Sequence, residues 1–346
     1  MYSSLSKIAD RNFVIGFFVP ALLATLLGLW LFETKNPSAA PLLESAASLK
    51  SVSDVAVIAI AVWVGGLLLS ILNYACYRIL EGYTGPLAWI PPLRWWHRYR
   101  FSRKLQRAKR LEAEWQEERD SFPATKIRQL EKLRYYLART YPGTLGEIKP
   151  TLFGNVIRAF EFYPENIYGA DSITIWPRLA SVLPKEFQET LNAARAPVDC
   201  LVNVCMLAVG ATAYATVVYA ESLINHIAPP AGTIPLLIGA VVTSTIAYRW
   251  AVGAAQTWGM VVKSAFDCYL GPLAIQLGYS VPVELKERTA FWNAVSQQAI
   301  YHIPMNPQSW QTANDCQQLV VKVPTKDPAV DENNAVDDNN SNQEEA

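Results

Sequence analysis

PTLFGNVIRAFEFYPENIYGADSITIWPRL, residues 150–179, is the stretch that sorts this chain into a fold class. It is too polar to cross a bilayer, yet long apolar runs flank it: Phe13–Phe32 and Val55–Tyr77 before it, Cys200–Leu223 and Thr233–Gln256 after it. A helix crosses bilayer hydrocarbon in about 20 residues, and each run reaches that length. The expected fold is mainly α. Four transmembrane helices form two hairpins, a helical cytoplasmic domain is inserted between them, and an acidic C-terminal tail is disordered. Inside the quoted stretch, Leu152, Val156, Ala159 and Phe160 recur at helical spacing, and Thr151 is placed to cap that short helix. Pro164, Gly169 and Pro177 divide the remainder of the stretch, and Tyr163, Tyr168 and Trp176 supply bulk. Arg158, Glu161, Asp171 and Arg178 read as a structural salt-bridge network rather than an acid–base pair.

Composition agrees with this class. Of 346 residues, 51% are hydrophobic and 17% charged. That charged share is below the roughly 25% of soluble domains, and the apolar residues are bunched. The net charge of zero hides a basic middle and an acidic end. Cys76, Cys200, Cys205, Cys268 and Cys316 form no C-x-x-C pair and fall mostly in or beside apolar runs, which predicts reduced thiols and no disulfide framework. His97, His226 and His302 are too scattered for a zinc site, so neither metal nor cofactor is expected. The opening run is longer than the h-region of a cleavable leader and reads as a retained first span.

The spans carry their own signals. Pro20 sits mid-run in the first span, where lipid tolerates a kink if neighbours re-satisfy the freed carbonyl. Gly65-Gly66 in the second span suits close helix approach. Pro20, Gly65, Gly66 and Asn73 are the candidate packing or pore-face positions. After Arg78 the segment WIPPLRWWHRYRFSRKLQRAKR is basic and aromatic. Arg94, Arg98, Arg100, Arg103 and Lys104 are candidate lipid-headgroup contacts, with Trp89, Trp95 and Trp96 at the same level. Basic residues beside a span mark the cytoplasmic side, which places both termini inside. Nucleic acid is not an expected partner.

Leu105, Ala108, Leu111 and Trp115 face a second stripe, Ile127, Leu130, Leu133 and Leu137, predicting a helical pair over the charged middle. Asp199 lies at the start of the third span, and Arg249 about 24 Å into the fourth. Arg249 has three readings: snorkelling to headgroups, pairing with Asp199, or lining an anion path. The expectation taken forward is an Asp199–Arg249 pair that ties the last two spans together.

The expected organisation is an N-terminal transmembrane hairpin (1–80), a helical cytoplasmic domain (81–198) and a second hairpin (199–256). Cytoplasmic helices (257–323) and the disordered tail (324–346) complete the chain. The pattern PT-x-x-GN-x-x-RA-x-E, then Tyr168-Gly169-x-Asp171 and Trp176-Pro177-Arg178-Leu179, resembles a family of uncharacterised multi-pass bacterial membrane proteins. RNFVIGFFVPALL near the start and Leu80–Tyr83 (LEGY) fit the same group. The resemblance implies a bacterial inner-membrane protein of this topology and implies no chemistry.

No dinucleotide, P-loop, zincin or nucleophile-elbow motif is present, so an enzyme is not expected. The expected role is regulatory or scaffolding, with a cytoplasmic protein bound through the middle domain. The alternative is an oligomeric ion channel or a membrane-disrupting effector. The bilayer and further copies of the chain are the other expected partners.

Overall fold

The computed structural model describes residues 11–35, 52–119, 121–302 and 305. Among these residues the chain is helical and without strands. The first helix, α1, is a continuous rod built from Arg11–Phe13, a π-helical Val14–Phe18 and Val19–Lys35. Then come α2 (Val52–Leu80), α3 (Pro91–Glu117), α4 (Ala124–Thr140) and α5 (Leu152–Glu161). They are followed by α6 (Tyr163–Tyr168), α7 (Ser172–Val182), α8 (Lys185–Ile224), α9 (Thr233–Gln276) and α10 (Leu285–Tyr301). Four of them, α1, α2, α8 and α9, are long and apolar enough to cross a membrane. The expected acidic tail, Cys316 and most of the Glu33–Ser53 connection lie outside the described residues.

α8 and α9 form the spine. On α9, Ala240, Ala247, Ala251 and Ala255 are buried at helical spacing, and α8 answers with Val198, Val202, Cys205 and Ala208; Gly259, further along α9, makes room for the Phe160 ring. Small residues on one face let the two backbones close up, which is how apolar helices gain packing contact in lipid. The domain boundaries drawn at 198 and 256 fall inside these two helices. α8 runs unbroken through Pro197, and α9 runs through Pro272 to Gln276. In each case buried residues beyond the proline, Val198 and Asp199 or Leu273 and Ala274, hold the helix in register.

The stretch 150–179 wedges α5, α6 and α7 against this spine. Phe153, Val156, Ile157, Phe160, Ile175 and Leu179 are buried in one core with Phe266, Phe291 and Trp292. Full burial of such side chains contributes about 1.5–3 kcal/mol each. A helix start leaves N–H groups without partners. In α5 specific oxygens meet them. Thr151 Oγ1 accepts from Gly154 N at 2.9 Å, and Tyr248 of α9 accepts from Leu152 N at 3.0 Å and Phe153 N at 3.2 Å. Asn155, fully buried, accepts from Lys149 N and donates to the carbonyls of Lys149 and Thr151. Gly154 lies so close to the Glu81 carbonyl that a Cβ there has no room. PT-x-x-GN is thus a docking motif that joins the end of α2 to α5 and α9.

α3 and α4 pair through Ala108, Leu111, Phe122 and Leu130, with Trp115, Leu133 and Leu137 against them, as the two stripes predict; Ile127 is exposed instead. Lys126–Glu114 (2.8 Å) and Arg134–Glu112 link the pair on its surface. At its base, Phe101, Tyr141 and Ile148 form a second small cluster.

Candidate functional site

Construction of the polar site begins at Pro20. Proline has no N–H to give the carbonyl four residues earlier, and its ring crowds that carbonyl. That carbonyl belongs to Gly16, inside the π-helical turn, whose wider winding makes room for the ring. Asn203 of α8 donates from Nδ2 to Gly16 O at 3.1 Å, so the freed carbonyl is satisfied across helices. Glycine at 16 allows a close approach, since a Cβ there would stand 3.2 Å from the Asp199 Cβ, a few tenths of an ångström tighter than an ordinary contact.

Asp199 sits one turn from Asn203 and is buried. Its Oδ1 accepts from Asn73 Nδ2 at 2.9 Å and from Tyr77 OH at 2.8 Å, while Arg195 Nε stands 3.4 Å from Oδ2. A carboxylate removed from water must be hydrogen-bonded or paired, and this one is both. The node ties α1, α2 and α8 together.

Arg249 is not part of it. Asp199 is engaged by Asn73, Tyr77 and Arg195, and Arg249 enters no ion pair among the described residues. The expected Asp199–Arg249 pair is therefore corrected, for a reason of helix phase. Ala247 and Ala251 are buried against α8. Arg249, two residues from each, is turned about 200° around the axis and is exposed beside Ile246 and Trp250.

Beside the node lies a cavity of about 650 Å³ between α2, α5, α7, α8 and α9. Asn73, Tyr77, Arg78 and Glu81 line it from α2 and the residue after it, Glu161 from α5, and Arg195 from α8; Trp176 and Trp258 form its apolar wall. Glu81 is buried, and that burial, with Glu161 nearby, pushes its carboxyl up to about 7, against the opposing pull of Arg78, Arg158 and Lys149. The Arg78 guanidinium lies 3.7 Å over the Tyr83 ring, and Arg195 lies 5.7 Å over Trp258. Two buried atoms on the lining residues have no hydrogen-bond partner: the acceptor Asn73 Oδ1 and the donor Trp258 Nε1.

No protein-family model, no curated protein and no solved structure matches this chain.

The remaining expected positions fall into two groups. Pro20, Gly65, Gly66 and Asn73 come together inside one chain. Gly65 faces Ala21, Gly66 faces Phe13 and Phe17, and Asn73 meets Asp199, so all act in packing among α1, α2 and α8. Arg94, Arg98 and Arg103 are exposed on α3 near Trp89, Trp95, Trp96 and Tyr99, which are also exposed. Arg100 lies 5.9 Å over exposed Trp96 on the same helix and Lys104 lies 4.3 Å over Tyr136 of α4, and both are half-buried.

Of the expected network in 150–179, Arg158 pairs with Glu161 and Glu147, whereas Asp171 caps α7 through Thr174 N and Arg178 donates to Thr174 O. Asp267, exposed on α9, accepts from both Tyr163 OH (2.8 Å) and Tyr168 OH (2.7 Å). The described cysteines are free, with Cys268 exposed rather than buried. Among the described residues no three His, Cys, Asp or Glu side chains cluster as a metal site requires.

Arg195, Tyr77 and Glu81 were missed by sequence reasoning. One signal was available for Arg195: Arg195, Asp199 and Asn203 repeat at four-residue spacing on one helix face.

Proposed function

We propose that this chain is a non-enzymatic, multi-pass protein of the bacterial cytoplasmic membrane, with a regulatory or scaffolding role exercised through its inserted helical domain. In this reading α1–α2 and α8–α9 are two transmembrane hairpins. Residues 81–198 and both termini lie on the cytoplasmic side, and a partner protein binds α3–α4. The basic residues that come after α2 support that orientation.

The observation that carries the reading is the α3–α4 pair. It closes on its own small core and is fixed at its base by Phe101, Tyr141 and Ile148. It turns a mixed-charge face outward, with Arg107, Arg110, Arg128 and Lys132 all exposed. A fixed charged arm on a membrane core suits recognition of a protein by charge complementarity. Polar span residues turned towards neighbouring copies would favour a channel, although a narrow pore gated by a hydrophobic constriction needs few of them. Here Asn73, Asp199 and Asn203 are engaged within one chain, and α2 turns Ile60, Leu68 and Ile71 outward.

The test is photocrosslinking from positions 110 and 132 of the full chain in bacterial cells, with position 71 as comparison. A discrete protein adduct from the arm alone, abolished by Arg107→Glu with Arg128→Glu, is the expected result. Adducts to lipid only, or a closed ring of subunits by native mass spectrometry with ion flux in liposomes, would overturn the reading.

A further inference from the structure

The cavity beside Asp199 has a shape, a position and a charge pattern that the partner-binding role does not use. Its α2 wall runs from Ser70 to Glu81. At 1.5 Å per residue that wall is about 16 Å long, the depth of a lipid headgroup with its glycerol and first acyl carbons. Its upper part belongs to a span-length apolar helix, and its lower part lies at the polar end of that helix. Tyr74, one of the lining residues, is 75% exposed, so the cavity reaches the outer surface along α2. A lipid reaches such a mouth sideways, without leaving its leaflet.

The charges are of both signs and nearly balanced. Arg195 is answered by Asp199, and Arg158 by Glu147 and Glu161. Arg78 stacks on Tyr83 and enters no ion pair among the described residues, and Glu81 lies three residues away. A simple anion would gain from the arginines and lose against the carboxylates. A ligand with a phosphodiester at one end and an ammonium at the other meets both. Among the lining residues, Asn73 Oδ1 on α2 lacks a donor and Trp258 Nε1 on α9 lacks an acceptor, the two functions such a ligand supplies. We propose that this cavity holds the headgroup of an aminophospholipid of the phosphatidylethanolamine type, with its phosphate on Arg78 and Arg195 and its ammonium towards Glu81 and Glu161.

Occupancy is linked to pH through Glu81. The groups facing it are Arg78 from α2, Glu161 and Arg158 from α5, Lys149 from the segment before α5, and Arg195 across the cavity. An ammonium favours the ionised carboxylate, so binding strengthens as pH rises through about 7 and releases a proton.

The test is native mass spectrometry of the full chain in mild detergent, with phosphatidylethanolamine and phosphatidylglycerol of identical acyl chains offered in competition. Selective retention of one phosphatidylethanolamine per chain is expected. Arg78→Gln and Glu81→Gln should each weaken it about tenfold, the loss of one charge-assisted contact. Arg98→Gln, on the exposed face of α3, should leave it unchanged, and Glu81→Gln should also abolish the pH dependence. Thermal unfolding of each variant reports folding separately. Equal retention of the two lipids, no retention, or equal losses from Arg78→Gln and Arg98→Gln would overturn the proposal. Binding of free phosphoethanolamine without lipid retention would keep the headgroup chemistry and overturn the lipid source.

Discussion

Gly154→Ala isolates the contact on which the junction of α2 and α5 depends. Gly154 is the third residue of α5, and an added Cβ would lie well inside van der Waals contact of the Glu81 carbonyl oxygen, 2.9 Å from that carbonyl carbon and 2.9 Å from Thr151 Oγ1. An ordinary contact requires a retreat of roughly 1 Å, and packed interiors resist such shifts. Neither side is free to retreat. α5 is pinned by Tyr248, Thr151 and Asn155, and the Glu81 backbone is bonded to Tyr77 O at 2.7 Å. Overpacking costs about 1–3 kcal/mol, towards the upper end when backbone must yield. Alanine returns about 0.8–1 kcal/mol of helix propensity. The net loss is therefore about 1–2 kcal/mol. Gly253→Ala is the matched control: it lies exposed in α9 with nothing within 4 Å of the added Cβ. Propensity alone then stabilises it, by up to about 1 kcal/mol. Equilibrium unfolding of the full chain in detergent, followed by tryptophan fluorescence, measures both. Equal stability of Gly154→Ala and wild type would refute the docking argument. Equal losses at both positions would show that neither steric contact nor propensity governs them.

The same assay tests the buried polar node around Asp199. Asp199→Leu orphans Asn73, Tyr77 and Arg195 and should cost about 3–5 kcal/mol, with Asp199→Asn, which keeps an acceptor, costing less. Arg249→Leu should change stability by no more than about 0.5 kcal/mol, and a larger loss would restore a partner for Arg249. Stability should fall as pH rises from about 4.5 to about 7, because the folded state holds the Glu81 proton more tightly than the unfolded chain, and Glu81→Gln should flatten that window. His97 acts at the acid side: burial, with Arg100 nearby, pushes its imidazole down to about 4, so stability falls as pH drops from about 6.5 towards 4, and His97→Phe should remove that slope.

Much of the frame is legible in the chain. The length of the apolar runs places the four long helices. The stripes at Ala108 and Leu130 pair α3 with α4, and Thr151 caps α5 where the pattern places it. Helix ends were less legible. Pro197 and Pro272 both lie inside helices, because tertiary burial outweighs one missing backbone bond. The role of PT-x-x-GN was hidden for a related reason. Nothing in the local pattern ties Gly154 and Asn155 to the Glu81 carbonyl and the Lys149 backbone that they meet.

The error over Arg249 shows what a linear reading of a span lacks. Depth comes from counting residues, and by depth Arg249 does lie level with Asp199: Cys205 Sγ donates to Ser244 O, which sets the antiparallel register that brings residues 199 and 250 side by side. Azimuth was the missing coordinate. It was present in the sequence as Ala240, Ala247, Ala251 and Ala255, whose spacing marks the packed face of α9 and leaves Arg249 on the other. Applied to α8, the same test places Arg195, Asp199 and Asn203 on one line facing α1 and α2. It makes Asn203, rather than any residue of α9, the natural donor for the carbonyl that Pro20 leaves free. In lipid, where every backbone group must find a partner inside the protein, a mid-span proline implies a donor on a neighbouring helix. A search for that donor by depth and face together leads from Pro20 to Gly16, to Asn203, and one turn further to Asp199.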